Sequence, residues 1–327
     1  MNQIVNYTLK ILRKIYGKLF KTQALSKPKC VEDPEKVSQI IYNKLIGNKP
    51  CMIARFGGFE LSTVVNYLNV KQTDRNYLKY IQGKKEQWWW NNKLLNHMQN
   101  NAGFFPPTQR KIEQFCELML DDMKEVDILG SWLSNERYFE ESTKAAKKVK
   151  LVLLEPYTAV LPWSRCLKGK KVLVVHPFAE LIEKQYKNRN LLFTNSDVLP
   201  EFQLQTIKAV QSMGGVNQEF KDWFEALEYM KDEIDKREYD ICLIGAGAYG
   251  FSLAAHVKRN GKKAIHLGGA LQLLFGIKGN RWEAKDYAVK WELPKDTYLT
   301  LFNEHWVKPT GKLKPKAASK VENACYW

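Results

Sequence analysis

The residues whose types and spacing suit chemistry fall in two short glycine-bearing stretches. One is Gly245-Ala246-Gly247-Ala248-Tyr249-Gly250, which follows the short apolar run Asp240 to Ile244. Glycines let a backbone approach a ligand closely, and the free N–H groups of a following helix point at whatever sits there. That is anion-binding chemistry. Helical periodicity follows, with Phe251, Leu253, Ala254 and Val257 apolar, Lys258 and Arg259 in the last turn and Gly261 as C-cap. Lys263 to Leu267 then reads as a second strand, leading into Gly268-Gly269-Ala270. A dinucleotide needs an acidic residue about 20 residues after the turn to hold its ribose. None occurs before Glu283. The expected ligand is therefore of phosphate type and not NAD. The same glycines would also serve simply to close a tight strand–helix turn.

The other stretch is Arg55-Phe56-Gly57-Gly58-Phe59-Glu60, delivered by the buried strand Cys51 to Ala54 and followed by a helix, Leu61 to Leu68. An Arg and a Glu flanking glycines at the C-terminal end of a strand lie where open α/β sheets bind ligands. The plainer alternative has Glu60 favouring the first helical turn through the helix dipole, with Arg55 paired to it. His176 ends another apolar strand, Lys171 to Val175, and is a candidate general base or ligand. A His that caps and fills a turn is the alternative there. Trp88-Trp89-Trp90 could stack on sugar rings, or divide its duty between core and surface.

These groups need elements to hold them. Asp33 and Pro34 read as N-cap and first residue of a helix that Gly47-Asn48 ends. A second helix is expected from Thr108 to Met123, another opening near Glu180, and a charged amphipathic one within residues 219–238. Asp127 to Trp132 and Leu151 to Pro156 are strand-like. Strands that alternate with helices from Cys51 to Leu267 predict a doubly wound, mainly parallel, Rossmann-like sheet. The glycine-bearing strand ends near 55–60 and 245–250 would then face each other across a crevice. Three regions are expected: a basic leader helix and linker over 1–30, the α/β domain over 31–308, and a loose Lys/Pro-rich tail over 309–327.

The net charge of +16 favours anionic partners: nucleic acid, phospholipid head groups or phosphorylated substrates. No nucleic-acid-binding motif accompanies it. The six cysteines include no C-x-x-C pair, which suggests a reducing compartment and no zinc site. Residues 1–29 hold seven Lys or Arg and no acid. On a helical wheel Ile4, Val5, Leu9, Ile11, Leu12 and Ile15 fall on one side, and Lys10, Arg13, Lys14, Lys18 and Lys21 on the other. No apolar run approaches the ~20 residues that span a bilayer. A basic amphipathic helix over residues 4–21, lying on an anionic membrane surface, fits this pattern. A helix packed on the domain with its basic face solvated fits it as well.

Taken in order, ARFGGFEL (54–61), KKVLVVHPF (170–178) and GAGAYGFSLAAHVKRNGKKAIHLGGALQ (245–272) resemble the GT-D-fold glycosyltransferases of bacterial polysaccharide clusters. The first is similar to their A-R-F/Y-G-D-G-E-F/L segment, and the last to their C-terminal Gly-rich turn, helix and strand. The resemblance spans residues 40–280. It implies a GT-D-like fold and transfer of a sugar from a nucleotide sugar to a saccharide or lipid-linked saccharide acceptor in surface polysaccharide assembly. It also implies a D-x-E motif holding Mg2+ or Mn2+ at the diphosphate. Here Gly58 stands in place of the first acid and Glu60 remains. The site expected on this basis has Glu60 and His176 as catalytic residues, with Glu60 also the metal ligand. Its donor-binding residues are Arg55, Gly57, Gly58, Gly245, Gly247, Tyr249, Gly250, Gly268 and Gly269. The protein would work in the cytoplasm, at the inner face of the cell membrane. Loss of the Asp leaves open a non-catalytic partner of a polysaccharide-assembly complex; charge alone leaves open a nucleic-acid-binding protein.

Overall fold

A computed structural model describes residues 3–20, 25–212, 219–314 and 324–327. Its centre is one sheet of seven strands: β1 (Cys51–Ala54), β2 (Ile128–Ser131), β3 (Lys147–Lys150), β4 (Lys171–His176), β5 (Gln203–Lys208), β6 (Ile241–Ile244) and β7 (Lys263–His266). The order is β3-β2-β1-β7-β6-β4-β5, and every pairing is parallel. The α/β, Rossmann-like class expected from the alternation of elements is what the chain adopts. Strands β1, β2 and β6 are buried at every residue, as continuous apolar runs covered on both faces must be.

The helices are α1 (Gln3–Leu19), α2 (Pro34–Ile46), α3 (Gly58–Lys71), α4 (Tyr77–Ile81), α5 (Asn92–Asn100), α6 (Gln109–Asp122), α7 (Ala179–Tyr186), α8 (Trp223–Asp235) and α9 (Gly250–Arg259), with short turns of helix beyond. The sequence signals act at their ends. Asp33 accepts from the Lys36 N–H with Pro34 next to it, and Thr108 accepts from the Lys111 N–H. Leu173 and Val175 of β4 join the core that holds α3, α6, α8 and α9, while Val172 and Val174 join the one that holds α2 and α7. The chain leaves β4 through α7 toward β5 and leaves β6 through α9 toward β7, on opposite faces. The order therefore reverses between β4 and β6, and a crevice opens beyond their C-terminal ends.

Two expectations need correction. Leu151 to Leu154 is not a strand but a turn of 3-10 helix, and the strand is the preceding Lys147–Lys150. Lysines suit an exposed sheet edge. The leucines instead pack over Gly130, where a Cβ would lie 2.6 Å from the Leu154 Cδ1. At the other edge, β5 carries mostly polar residues, and only Ile207 in it is buried. The described last residues, 324–327, are packed and not loose. Trp327 is 2% exposed and donates its indole N–H to the Leu313 carbonyl, while the Arg281 N–H donates to the Cys325 carbonyl. Residues 315–323 of that tail lie outside the described residues.

Helix α1 rests on the domain by a narrow edge. Leu9 packs on Tyr80 and Trp88. Arg13 lies 4.7 Å over the Tyr80 ring, donates to the Lys85 carbonyl at 2.8 Å and pairs with Glu86. Ile4, Ile11, Leu12, Ile15 and Leu19 stay exposed. No helix among the described residues is long and apolar enough to cross a membrane.

Candidate functional site

A cavity of about 830 Å³ opens at the C-terminal ends of β1, β2, β4, β6 and β7. Its size suits a small-molecule site, and its place is where open α/β sheets take ligands. Two different walls meet in it.

One wall is mostly backbone. Arg55, Gly57, Gly58 and Glu60 enter from the β1–α3 turn, and Gly245 and Gly247 from the β6–α9 turn. His176, Gly268 and Gly269 complete it. Gly247 has φ +52° and Gly268 φ +61°, a region costly for other residues. A Cβ at Gly247 would meet only the Ala102 carbonyl oxygen, at 4.0 Å, so the space beside it is open. At Gly245 a Cβ would lie 2.5 Å from His176 Cδ2 and 2.8 Å from the Gly268 carbonyl oxygen. Three segments meet there, and glycine is what allows it.

Arg55 makes no salt bridge among the described residues. Its guanidinium lies over the Trp132 ring at 5.5 Å and runs beside Gly268. Its charge adds to burial in holding the His266 imidazole down at a pKa of about 3. Glu60 lies in the first turn of α3 and folds back so that its carboxylate occupies the space a side chain at Gly57 would take. His176 is 3% exposed, and burial pushes its pKa down to about 3. Its Nδ1 accepts from the Phe178 N–H at 3.0 Å, so the proton sits on Nε2. Burial keeps that imidazole neutral, and its Nδ1 is engaged by the backbone as a turn-filling His would be.

Two expected site residues lie outside the cavity. The Tyr249 ring is buried, stacked on Trp223 at 4.9 Å, with its hydroxyl 2.9 Å from Ser212 Oγ. Gly250 permits close packing of α9 on β7, because a Cβ there would strike the His266 ring. Of the β6–α9 turn, Gly245, Gly247 and Ala248 line the cavity, while Tyr249 and Gly250 serve the core. The tryptophan triplet is also elsewhere: Trp88 is buried with Tyr77, Tyr80 and Trp89 under α1.

The other wall, adjoining the first at Trp132 and Tyr326, is aromatic. Trp132 anchors it. Its backbone N–H donates to Glu136 and its indole N–H to the Phe56 carbonyl, both within 3.0 Å. Trp291 lies 5.7 Å from Trp132, Tyr287 6.4 Å from Trp291, and Tyr298 5.5 Å from Tyr287. Arg281 lies 4.6 Å over the Tyr326 ring, and the Tyr326 ring fills the space beside Gly269. Deep in this wall sits Glu155, 9% exposed, its pKa pushed up to about 7 by burial. Sequence reasoning passed over all of these. The one available signal was Glu155 itself, a carboxylate closing the apolar run Leu151 to Leu154.

No family model, curated protein or solved structure matches the chain. Among the described residues no three His, Cys, Asp or Glu side chains gather where they could hold a metal ion. With Gly58 lacking a carboxylate, the side chains present do not form the D-x-E cation site that the resemblance implies.

Proposed function

We propose that this protein is a glycosyltransferase-like enzyme that takes a nucleotide sugar as donor and a saccharide or lipid-linked saccharide as acceptor in surface polysaccharide assembly. One observation carries the reading. Two glycine turns nearly two hundred positions apart in the chain open on one cavity, beside an arginine without a carboxylate partner among the described residues. The backbone of the turn around Gly247, together with Arg55, suits the diphosphate of a donor and the charge that develops on it as it leaves. The aromatic wall suits the flat faces of sugar rings. No step is derived through a metal ion.

The test is a panel of UDP-, GDP- and dTDP-sugars, read by thermal shift and by release of nucleotide diphosphate. Stabilisation and turnover with one donor are expected. A chain that responds to none of them, and only to DNA or RNA with a steep loss in salt, contradicts the reading. A second reading, a non-catalytic partner in a polysaccharide-assembly complex, is favoured by Gly58 and by the Glu60 carboxylate folded over Gly57. It predicts donor binding without turnover.

The exposed apolar stripe of α1, with Lys10, Lys14 and Lys18 beside it, supports placing the enzyme on the cytoplasmic face of an anionic membrane. Each lysine near such a surface contributes about 1 kcal/mol. The variant Lys10→Glu/Lys14→Glu/Lys18→Glu leaves the Leu9 and Arg13 contacts in place. It is expected to lose sedimentation with phosphatidylserine vesicles; sedimentation equal to the parent's would remove the membrane assignment.

A further inference from the structure

We infer that the aromatic wall is the acceptor subsite, and that Glu155 is the group that takes the proton from the attacking acceptor hydroxyl. The inference rests on the glycosyltransferase reading and extends it to a residue which that reading does not use.

Glu155 is held as a positioned base would be. Its Oε2 accepts from the Tyr157 hydroxyl at 2.7 Å and from the Tyr298 hydroxyl at 3.0 Å. Its Oε1 accepts no hydrogen bond among the described residues, and Glu155 lines the cavity. That oxygen is not a buried atom left without a partner; it is open to the cavity and free to accept from a hydroxyl-bearing ligand. The backbone fixes it as well: its N–H donates to the Val152 carbonyl, and its carbonyl accepts from Thr158 Oγ1.

The wall connects this carboxylate to the anion-binding side. Arg55 lies on Trp132, Trp132 on Trp291, Trp291 on Tyr287, Tyr287 on Tyr298, and Tyr298 bonds Glu155. A sugar laid along it would have its donor-facing end toward Arg55 and a hydroxyl toward Oε1. In the step itself the acceptor O–H proton passes to Glu155 Oε1. The acceptor oxygen bonds to the anomeric carbon, and the bond from that carbon to the diphosphate oxygen breaks with its electron pair on the diphosphate.

The groups facing Glu155 set its proton affinity. Burial raises the pKa to about 7, against the lowering by the Tyr157 and Tyr298 hydroxyls. Both phenols are themselves raised by burial and stay protonated. Tyr287 lies behind them, and the cations on this side are Arg281 and Lys290. A base that ionises near pH 7 is matched to its task.

The test uses the full chain with the UDP-, GDP- and dTDP-sugar panel and simple alkyl glycosides as acceptors. Glu155→Gln keeps the shape and can still accept from both tyrosines. It is expected to lower kcat on the order of 100-fold or more, leave donor affinity within about twofold, and abolish the acidic limb of the pH–rate profile. Tyr298→Phe removes one donor to the carboxylate, so the same limb should move to higher pH, a shift that a merely structural role would not produce. Release of nucleotide by the wild type, matched by Glu155→Gln and with an unmoved limb in Tyr298→Phe, overturns the role of Glu155 alone. No release from any donor overturns the glycosyltransferase reading and this inference with it.

Discussion

The two walls of the cavity are made of different material. The glycine wall is backbone: positive φ at Gly247 and Gly268, close approach at Gly245, and the first turn of α3. The aromatic wall is side chains, drawn from the β2 end, the turn after β3, residues 281–291 and the last residues of the chain, with Tyr298 behind them. A backbone site has a local cause, so a few consecutive residues announce it. A side-chain site exists only once distant segments have packed. One wall suits a ligand recognised by charge, the other a ligand recognised by shape and hydroxyls.

Glycine substitutions separate cavity-facing from core-facing roles. Gly245→Ala pushes a methyl against His176 and the Gly268 carbonyl, and Gly250→Ala pushes one against the His266 ring. Overpacking of this kind costs about 1–3 kcal/mol, so both should lower the melting temperature by several degrees. Only Gly245→Ala should also weaken donor binding, by more than about tenfold, or about 1.4 kcal/mol. Equal donor affinity in the two variants would break the distinction between cavity-facing and core-facing glycines, and with it the binding role of the glycine wall.

A smaller effect is expected on the aromatic side. Trp291 is half-buried against Trp132 and Tyr287. Trp291→Ala should leave the donor Kd within about twofold while raising the acceptor KM about tenfold, the loss of one stacking face. Steady-state kinetics with donor and acceptor varied separately would show it. A change in donor Kd instead would place the donor, and not the acceptor, on this wall.

What was legible in the sequence follows from the same division. The turns at 55–60 and 245–250 were readable, and so were the central strands, because β1 and β6 are continuous apolar runs buried on both sides. The edges were not. Lys147–Lys150 looks like a solvated charge run until β2 pairs with it, and the apolar Leu151 to Leu154 beside it reads as the better strand. Tyr249 and Gly250 share a motif with Gly247, yet α9 turns them into the core within one residue of the cavity rim. Spacing places a motif at a strand end but does not say which of its members face out. His176 was found by position, at the end of β4 and in the cavity lining, but its burial and the Phe178 N–H on its Nδ1 are absent from any linear pattern. Trp327 joins the cavity from the end of a lysine-rich tail that composition alone marks as loose.

The central claim is that the glycine wall binds the diphosphate of a nucleotide sugar, and one equilibrium titration bears on it most directly. The donor giving the largest thermal shift would be titrated calorimetrically into the wild-type chain and into Gly247→Val. Valine at φ +52° adds strain on the order of 1–3 kcal/mol and places a branched side chain in the open space beside the turn. The account predicts a folded variant, by circular dichroism, that binds this donor more than about tenfold more weakly than the parent. A folded Gly247→Val chain with the parent's affinity would contradict it and leave the glycines as a turn that closes the fold.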